Sequence, residues 1–415
     1  MMSIEALRVR HVAASPEGRR HDLDWLRVLA FGMLIFYHVG MFYVTWDWHV
    51  KSPSASSFFE PAMLLVNPWR LALLFFISGV AIRFATDKVP LRRFLPKRVL
   101  RLFIPIVFGM LIVVMPQAYV EMRFKGETEV GLWRFFIDYA TFRQEFSIIT
   151  PTWNHLWYVV YILVYTLLLA PFLTVLRRLS GRPAGALLSW IGARPRLYPL
   201  VLPALPFLVY RLVLDPYFPT THALADDWAN HAHNLTILLY GFVVAKNQVF
   251  WRLVDKTFAT AVVLAVSLGM LSLAVRLGWT GVPPDEMLQT AVRIGRIFYA
   301  WAVIVALLGL SQRWLDRPGT ALRYLTDAVF PYYILHQTII VVLGYWLIPY
   351  RLPALEEAAI IIGATLSGCV LGYEVIRRVL VLRPLFGLPW RRNSDRNGVA
   401  IEGGLAPAGL RSPSC

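Results

Sequence analysis

Long apolar blocks, each about 18 to 25 residues in length, alternate along the chain with short polar stretches. A block of this length crosses roughly 30 Å of hydrocarbon as an α-helix. We therefore predict an all-α, polytopic membrane protein with about ten transmembrane helices. The predicted spans are residues 26–44, 61–84, 102–120, 155–176, 197–214, 234–250, 258–277, 287–310, 328–348 and 358–382.

The fifth and sixth predicted spans are the least regular. The fifth contains Pro199, Pro203 and Pro206, and each proline frees a backbone group that needs another partner. The sixth contains Lys246, whose ammonium group must reach the membrane surface. We expect any error in the number of spans to arise in this part of the chain.

Composition supports a membrane protein and excludes several other classes. Hydrophobic residues make up 57% of the chain and charged residues 16%, with a mean hydropathy of +0.56, whereas soluble domains have about 25% charged residues. The net charge is +16, but Lys and Arg flank the apolar blocks, so no nucleic-acid partner is predicted. Two cysteines, Cys369 and Cys415, indicate neither a disulfide framework nor a cysteine-ligated metal site.

Positive charge is distributed unequally between the two sets of loops. About 29 of the 41 Lys and Arg residues lie on the side shared by the two termini, and about 8 lie on the other side. Because cytosolic loops are enriched in these residues, both termini are predicted to be cytosolic. The predicted organisation is a cytosolic N-terminal segment (1–25), a ten-helix membrane domain (26–382) and a disordered cytosolic tail (383–415). The N-terminal segment lacks an apolar signal region, so the first span would direct insertion.

Polar side chains inside a lipid-embedded helix are costly and therefore mark candidate functional positions. The most informative candidates in or directly beside the predicted spans are Arg27, His38, Arg70, Arg293, Arg296, Asp327, His336 and Glu374. Arg27 and His38 are eleven positions apart, so both lie on one helical stripe about 16 Å apart along the axis. Asp24 can hold the Arg27 guanidinium from the preceding turn. The alternative is a helix-packing role for His38 and an ordinary flanking charge for Arg27.

Counting residues from the span ends brings three of these side chains close to one plane. His38 lies about 18 Å from the cytosolic end, and Arg70 and Arg296 each lie about 13 Å from the outer face. Arg293 and Arg296 share a helix face and need an anionic or strongly polar partner. Asp327, a carbonyl group of a broken helix or a substrate would supply it.

Three further clusters have both a functional and a structural interpretation. Arg98 and Arg101, beside Lys97, fit phosphate groups or are positive anchors at the membrane surface. His155 lies among aromatic residues typical of either an interface belt or a sugar platform. His231 and His233 are two residues apart, which is a weak pattern for metal ligands, so no metal site is predicted.

Taken together, the motifs resemble those of the acyltransferase 3 family, membrane proteins that move acyl groups from cytosolic acyl-CoA to carbohydrates and related acceptors. The resemblance extends from about residue 22 to residue 382. The matching stretches are Asp22-Leu-Asp24-Trp-Leu-Arg27 with His38, Phe75-Phe-Ile-Ser78-Gly79, Lys97-Arg98-Val-Leu-Arg101, His155-Leu-Trp157-Tyr158 and Pro331-Tyr-Tyr-Ile-Leu-His336. Residues 47–52, with Tyr373, Glu374 and Arg377, look most like the branch that contains the glucan-modifying succinyl transferases.

The resemblance implies roles for individual residues. His38 would be the catalytic histidine, with Arg27 in the same motif, and Arg98 and Arg101 would hold the phosphates of the donor. We also place Lys97 and Arg93 in the donor-binding group. From their depth and charge, and not from the resemblance, we expect Arg70 or Arg296 to stabilise the oxyanion of the intermediate. The candidate acceptor-binding residues are Asp24, His49, His155, Trp157, His336 and Arg293.

We therefore expect an acyl-CoA-dependent O-acyltransferase of the cell inner membrane, surrounded by lipid and without a tightly bound cofactor. It would transfer an acetyl- or succinyl-class group to a glycan hydroxyl on the outer face. His38 would act as a general base. The alternative is that His38 itself forms a covalent acyl-histidine. A secondary transporter or a non-catalytic acyl-CoA sensor is the competing class, although the lack of internal repeats disfavours a transporter.

Overall fold

The computed structural model describes residues 20–142, 146–278 and 285–390, and these residues form helices and loops without a β-strand. The helices are α1 (His21–Tyr43), α2 (Glu60–Lys88), α3 (Leu91–Phe108), α4 (Met115–Phe124), α5 (Leu132–Ala140), α6 (Trp157–Leu169), α7 (Leu173–Leu179), α8 (Arg182–Gly192), α9 (Tyr198–Val201), α10 (Leu205–Val213), α11 (Trp228–Val244), α12 (Gln248–Leu277), α13 (Glu286–Trp314), α14 (Thr320–Leu347), α15 (Ala354–Arg378) and α16 (Leu382–Leu385).

Eight helical stretches among the described residues are long and apolar enough to cross a membrane, which confirms the all-α polytopic class. The fifth and sixth predicted spans fall on shorter helices. Prolines divide the fifth into α9, a 3₁₀ turn (Leu202–Ala204) and α10, because proline lacks an amide donor. The sixth corresponds to α11, which ends before Lys246, and the Lys246 ammonium pairs with Asp87 at 2.6 Å. The number of ten membrane crossings and the cytosolic location of both termini remain predictions.

The two ends of the helix bundle differ in character. At the end that we call the arginine end, the indole of Trp25 near the start of α1 donates to the carbonyl of Arg317, just before α14. At the opposite end, the loop end, the loops after α1, α5 and α10 approach one another. There the indole of Trp153 donates to the carbonyl of His222 at 2.9 Å, joining two of these loops.

Helix α1 is the organising element, since it packs against α2, α13, α14 and α15. The helix begins at His21 rather than at the predicted residue 26. The early start follows from Asp22, which is buried and paired with Arg20 at 2.6 Å, so that its charge is tolerated in the first turn. The boundary predicted at residue 25 is thus too late for the helix itself.

Helices α2 and α11 approach each other at two glycines. A Cβ atom on Gly79 would lie 1.9 Å from the carbonyl oxygen of Leu238, and one on Gly241 would lie 2.0 Å from that of Phe76. Backbone contact this close is available only to glycine, and small residues are the usual means of tight helix packing in membranes. The pair fixes α2, the helix that carries Arg70.

The segment after α15 is ordered further than predicted. Residues 382–385 form α16, and Arg383, Phe386 and Leu388 are buried. Arg383 donates to the carbonyls of Arg377 and Pro389, which holds this segment against the arginine end. The predicted disordered tail therefore begins too early at residue 383, and its remainder, residues 391–415, lies outside the described residues.

Candidate active site

Two histidines from helices far apart in sequence meet in the middle of the bundle. His38 on α1 and His336 on α14 stack with ring centroids 5.0 Å apart, and His38 Nδ1 lies 2.9 Å from His336 Nε2. His336 Nδ1 lies 2.6 Å from the carbonyl oxygen of Tyr333 and 3.2 Å from that of Tyr332. The structure thus links two predicted site residues directly.

These contacts define the proton positions in the neutral pair. A carbonyl oxygen only accepts, so the proton of His336 lies on Nδ1 and its Nε2 atom is an acceptor. His38 must then donate from Nδ1 to His336, which leaves the lone pair on His38 Nε2. That nitrogen has no hydrogen bond to the described residues. The arrangement prepares His38 Nε2 to take a proton.

His38 lines a cavity of about 610 Å³ that reaches the loop end. Residues from α1, α2, α6 and α14 form its walls, together with the loops that contain Trp48, Trp153 and His222. Its wall includes His38, Arg70, His155, Trp157, Tyr333 and Gln337. A mixed aromatic and polar lining of this size suits a sugar, because rings pack on sugar faces and polar groups bind hydroxyls.

Arg70 places a cation beside this cavity. Its guanidinium lies 3.5 Å from the ring centre of Tyr37 and donates to the Asn67 carbonyl at 2.9 Å and to the Asn67 side chain. Its Nε atom is buried and has no hydrogen-bond partner among the described residues. His38 is within electrostatic range. A fixed cation with an unused donor can stabilise negative charge that develops on a substrate.

The predicted acceptor residues His155 and Trp157 both lie in the cavity wall. His155 is buried, donates from Nε2 to the carbonyl of Ile334 at 3.2 Å and accepts the Tyr333 hydroxyl at its own carbonyl. Trp157 lies against the His222 ring, with centroids 4.2 Å apart. Burial lowers the pKa of His222 in the loop, so its imidazole is neutral near pH 7. The pair forms an uncharged aromatic platform.

A polar network runs from α14, beside the histidine pair, towards the loop end. Gln337, next to His336, donates to His49 Nε2 at 2.9 Å and to Gln117 at 3.2 Å. His49 Nδ1 lies 2.5 Å from Glu121, which also pairs with Lys125 at 2.7 Å. Only His49 was predicted.

Three residues of this network, Gln117, Glu121 and Gln337, were not predicted from the sequence, and they differ in how visible they were there. Gln117 and Gln337 were detectable as amides within predicted spans, where each needs partners. Glu121 lies one residue beyond the predicted third span, and its contact with His49 joins positions 72 residues apart. No local pattern could reveal that contact.

The predicted donor-binding arginines gather at the arginine end. Arg27 pairs with Asp24 at 3.7 Å, and both Arg98 and Arg101 lie within electrostatic range of Arg27. Arg101 donates to the carbonyl of Gly387 at 2.9 Å, and the buried Arg98 Nε has no partner among the described residues. Three cations so close together favour a polyanion. We call Arg27, Arg98 and Arg101 the arginine cluster.

Other predicted members of the donor and acceptor sites lie elsewhere. Arg93 and Lys97 are exposed on α3. Asp24 holds Arg27 at the arginine end and does not line the His38 cavity. Its predicted role in acceptor binding therefore does not match its position.

A thin aromatic layer separates the arginine cluster from the His38 cavity. Phe31, on the stripe between Arg27 and His38, contacts Tyr333 and Tyr158, with ring centroids 5.3 and 6.0 Å away. Tyr158 bonds to Ser78 at 2.6 Å, and both tyrosines also line the cavity. We call Phe31, Tyr158 and Tyr333 the aromatic partition.

Arg296 and Arg293 do not line the His38 cavity, contrary to the expectation that depth alone brings Arg296 to His38. Depth fixes height in the membrane but not direction around the helix, and α13 directs both side chains into two neighbouring cavities. Asp327, one expected partner, lies within electrostatic range of Arg101 instead. Arg293 contacts Gln289 at 3.5 Å.

No cluster of three or more metal-ligating side chains occurs among residues 20–142, 146–278 and 285–390. His231 bonds to the Tyr165 hydroxyl and the Leu224 carbonyl, whereas His233 pairs with Asp215 at 3.2 Å. Asp227 accepts hydrogen bonds from Tyr161, Asn230 and the backbone of the preceding loop. These polar residues order the loop end.

Comparison with known proteins finds one matching family and a group of named relatives. Residues 20–374 match the family model of an acyltransferase domain, and this stretch contains the histidine pair, the cavity and the arginine cluster. Three relatives with the name glucans biosynthesis protein C, from Salmonella paratyphi B, Salmonella agona and Salmonella enteritidis, are each 22% identical over 94% of this chain and 100% of their own length. No solved structure matches. Because the family model spans most of the chain, the protein belongs to the acyltransferase 3 family of membrane acyltransferases.

Proposed function

We propose that the protein transfers an acyl group of the acetyl or succinyl class from acyl-CoA to a hydroxyl group of a glycan. Family membership supports acyl transfer, and the name of the Salmonella relatives suggests a glucan as the acceptor. The observation that carries the proposal is the hydrogen bond from His38 to His336, which leaves His38 Nε2 free at the wall of the cavity.

In this mechanism His38 Nε2 accepts the proton of the glycan hydroxyl as its oxygen attacks the thioester carbonyl carbon. Arg70 stabilises the negative charge on the former carbonyl oxygen. Collapse of the intermediate breaks the carbon–sulfur bond, and the histidine returns the proton to the leaving thiolate. The charge on protonated His38 is shared with His336, whose own proton is held by the Tyr333 carbonyl.

The donor would bind at the arginine end. The arginine cluster offers guanidinium groups to the phosphates of coenzyme A, and guanidinium binds phosphate in a bidentate manner. The thioester would follow the α1 stripe from Arg27 past the aromatic partition to His38, a distance of about 16 Å. The concentration of Lys and Arg at this end supports a cytosolic orientation in the cell inner membrane. The loop-end cavity then receives the glycan from the outer side.

The first test compares variants of the purified protein. His38→Ala should lower acyl transfer by at least about 10²-fold, the usual contribution of a general base. Phe36→Ala is the matched control, because Phe36 lies on the same helix with 54% exposure, away from the cavity. The Phe36→Ala protein should transfer acyl groups at the wild-type rate. Activity of His38→Ala within a factor of ten of the wild type would contradict the assignment.

The second test concerns the donor and its side of the membrane. Sealed proteoliposomes of defined orientation receive acyl-CoA on the arginine-end side and an impermeant oligoglucoside on the loop-end side, and product should form. Arg98→Gln/Arg101→Gln should raise the KM for acyl-CoA far more than that for the oligoglucoside. Product only when both substrates are at the arginine end would contradict transfer across the membrane.

A further inference from the structure

A second cavity of about 520 Å³ lies beside the His38 cavity. The two cavities share Arg70, Trp157 and His222 as wall residues. A third cavity of about 580 Å³ shares Arg293 and Arg296 with the second. Because the two cavities adjoin at Arg70, a ligand larger than one sugar that occupies both would reach from His38 to Arg296.

The walls of the second cavity carry more cations than carboxylates. Arg211 is already paired with Asp215 at 2.6 Å, and Asp215 also contacts His233. Arg296 forms no hydrogen bond or ion pair with the described residues. Arg293 has only a long contact, 3.5 Å, to the neutral Gln289 side chain. Arg296 is partly buried and Arg293 is exposed, and neither guanidinium has an anionic partner within the described part of the protein.

A cation removed from bulk water is stabilised by an anion that it can contact, and an unpaired cation in a membrane protein is costly. Arg296 is also repelled by Arg211, so the cavity attracts negative charge. Tyr37 links this region to the active site, because both Arg70 and Arg296 are within its electrostatic range. Arg296 and Arg70, which lines the His38 cavity, are therefore neighbours across the Tyr37 side chain.

We propose that Arg293 and Arg296 form a subsite for an anionic substituent, a phosphate or a carboxylate, carried by the glycan acceptor. The assignment rests on the proposed function, because it places the acceptor hydroxyl at His38 and the charged group in the second cavity. Guanidinium groups hold both phosphates and carboxylates through paired hydrogen bonds. An anionic lipid headgroup has the same chemistry, so the source of the anion must be tested separately.

Binding of an anion can be measured without any transfer. Inorganic pyrophosphate is added to Arg98→Gln/Arg101→Gln protein in phosphatidylcholine nanodiscs, and thermal unfolding is followed. The double variant removes two of the three guanidinium groups of the arginine cluster, the other proposed phosphate site. Pyrophosphate should raise the Tm, as any ligand of the folded state does. Adding Arg293→Gln/Arg296→Gln should abolish the rise, whereas adding Arg123→Gln, an exposed arginine that lines none of the three cavities, should preserve it. An equal rise in all three proteins would overturn the proposal.

Nanodiscs that contain phosphatidylglycerol identify the source of the anion. If this lipid raises the Tm in an Arg293- and Arg296-dependent way and pyrophosphate then adds nothing, the site binds a headgroup and the acceptor assignment is wrong. If pyrophosphate stabilises the protein equally in both kinds of nanodisc, the site is open to a soluble anion, as proposed.

A kinetic test uses two oligoglucosides of equal length, one neutral and one with a phosphate monoester at its reducing end. Wild-type protein should prefer the phosphorylated acceptor, and Arg296→Gln should reduce that preference roughly ten-fold, through KM, by loss of a charge-assisted hydrogen bond. Arg296→Lys should restore part of it. Transfer without any preference would refute the subsite alone, whereas no transfer to either acceptor would refute the proposed function.

Discussion

A histidine acts as a base only through a ring nitrogen with a free lone pair, so the hydrogen bond at the other nitrogen decides its competence. His336 performs this positioning role for His38 through the 2.9 Å contact. The expected phenotype of a His336 variant therefore depends on whether the new side chain can still accept a proton from His38 Nδ1.

We predict that His336→Ala lowers kcat by roughly ten- to a hundred-fold, the usual cost of losing the group that orients a functional histidine. His336→Gln should recover part of the loss, because its amide oxygen can accept the His38 proton. The measurement is kcat with saturating substrates, together with thermal unfolding of both variants. Equal kcat values for the Ala and Gln variants would show that His336 has a packing role only.

Lys51 gives a second residue-scale prediction. Its ammonium donates to the carbonyls of Met41 and Val44 at the end of α1, both at 2.7 Å, and burial lowers the pKa of Lys51 to about 8. Burial also lowers the pKa of Lys125, but the hydrogen bond and ion pair with the Glu121 carboxylate raise that pKa overall. Pulse acetylation with mass spectrometry should detect Lys51 labelling with a midpoint near pH 8, below that of Lys125.

The same shift has a consequence for stability. The folded state releases the Lys51 proton near pH 8, whereas an unfolded chain keeps it to about pH 10.4. Between these values the unfolded state binds more protons, so this lysine makes stability increase with pH. Lys51→Met should remove that component of the pH dependence. Coincident labelling midpoints for Lys51 and Lys125 would contradict both statements.

Single residues were the most predictable part of the site. A polar group in an apolar span is visible in the sequence, and His38, Arg70, His155 and Trp157 all line one cavity. Their partners were not visible in the same way. The His38 and His336 contact joins positions 298 residues apart, and only the packing of α1 on α14 creates it.

At the scale of elements, the glycine contact between α2 and α11 gives a prediction for stability. An added methyl group at Gly79 or Gly241 would meet a backbone carbonyl that cannot rotate away, so the helices must separate. Gly79→Ala and Gly241→Ala should each destabilise the protein by about 1–3 kcal/mol, as overpacking usually does. Thermal unfolding in one fixed detergent provides the measurement.

Gly363→Ala is the matched control for these variants. Gly363 lies inside α15, is exposed and has no atom within 4 Å of an added Cβ. Alanine is the better helix former by about 1 kcal/mol, so the control should be neutral or slightly stabilising. A Gly79→Ala protein that unfolds at the same temperature as Gly363→Ala would show that the close contact does not limit packing.

Helix type and approximate position followed from hydropathy because a membrane span needs a minimum apolar length. Helix ends did not, since they depend on neutralisation of individual charges. Asp22 enters α1 because Arg20 neutralises it, and Lys246 lies beyond α11 because Asp87 binds it. Leu382 and the following residues pack because two carbonyls capture Arg383. Such contacts are tertiary and leave no periodic signal.

At the scale of the whole molecule, the two polar ends stay separate because of the aromatic partition. Helical geometry alone predicted that Arg27 and His38 share a stripe, but it could not show that Phe31 on that stripe meets Tyr158 and Tyr333. The rings come from α1, α6 and α14, so the layer exists only in the assembled bundle. A donor that binds at the arginine cluster would pass these rings on the way to His38.

We predict that Phe31→Ala uncouples the donor from the acceptor. Loss of the ring opens a path for water between the two ends, so thioester hydrolysis should rise relative to acyl transfer. Tyr158→Phe keeps a ring and removes only the hydroxyl bonds to Ser78 and the Leu74 carbonyl, so its effect should be smaller. Both rates are measured on one proteoliposome preparation, with acyl-CoA at the arginine end and acceptor at the loop end. Phe36→Ala, which removes an equal ring from the exposed side of α1, should leave the ratio unchanged. An unaltered ratio in Phe31→Ala would mean that the partition does not control access to His38.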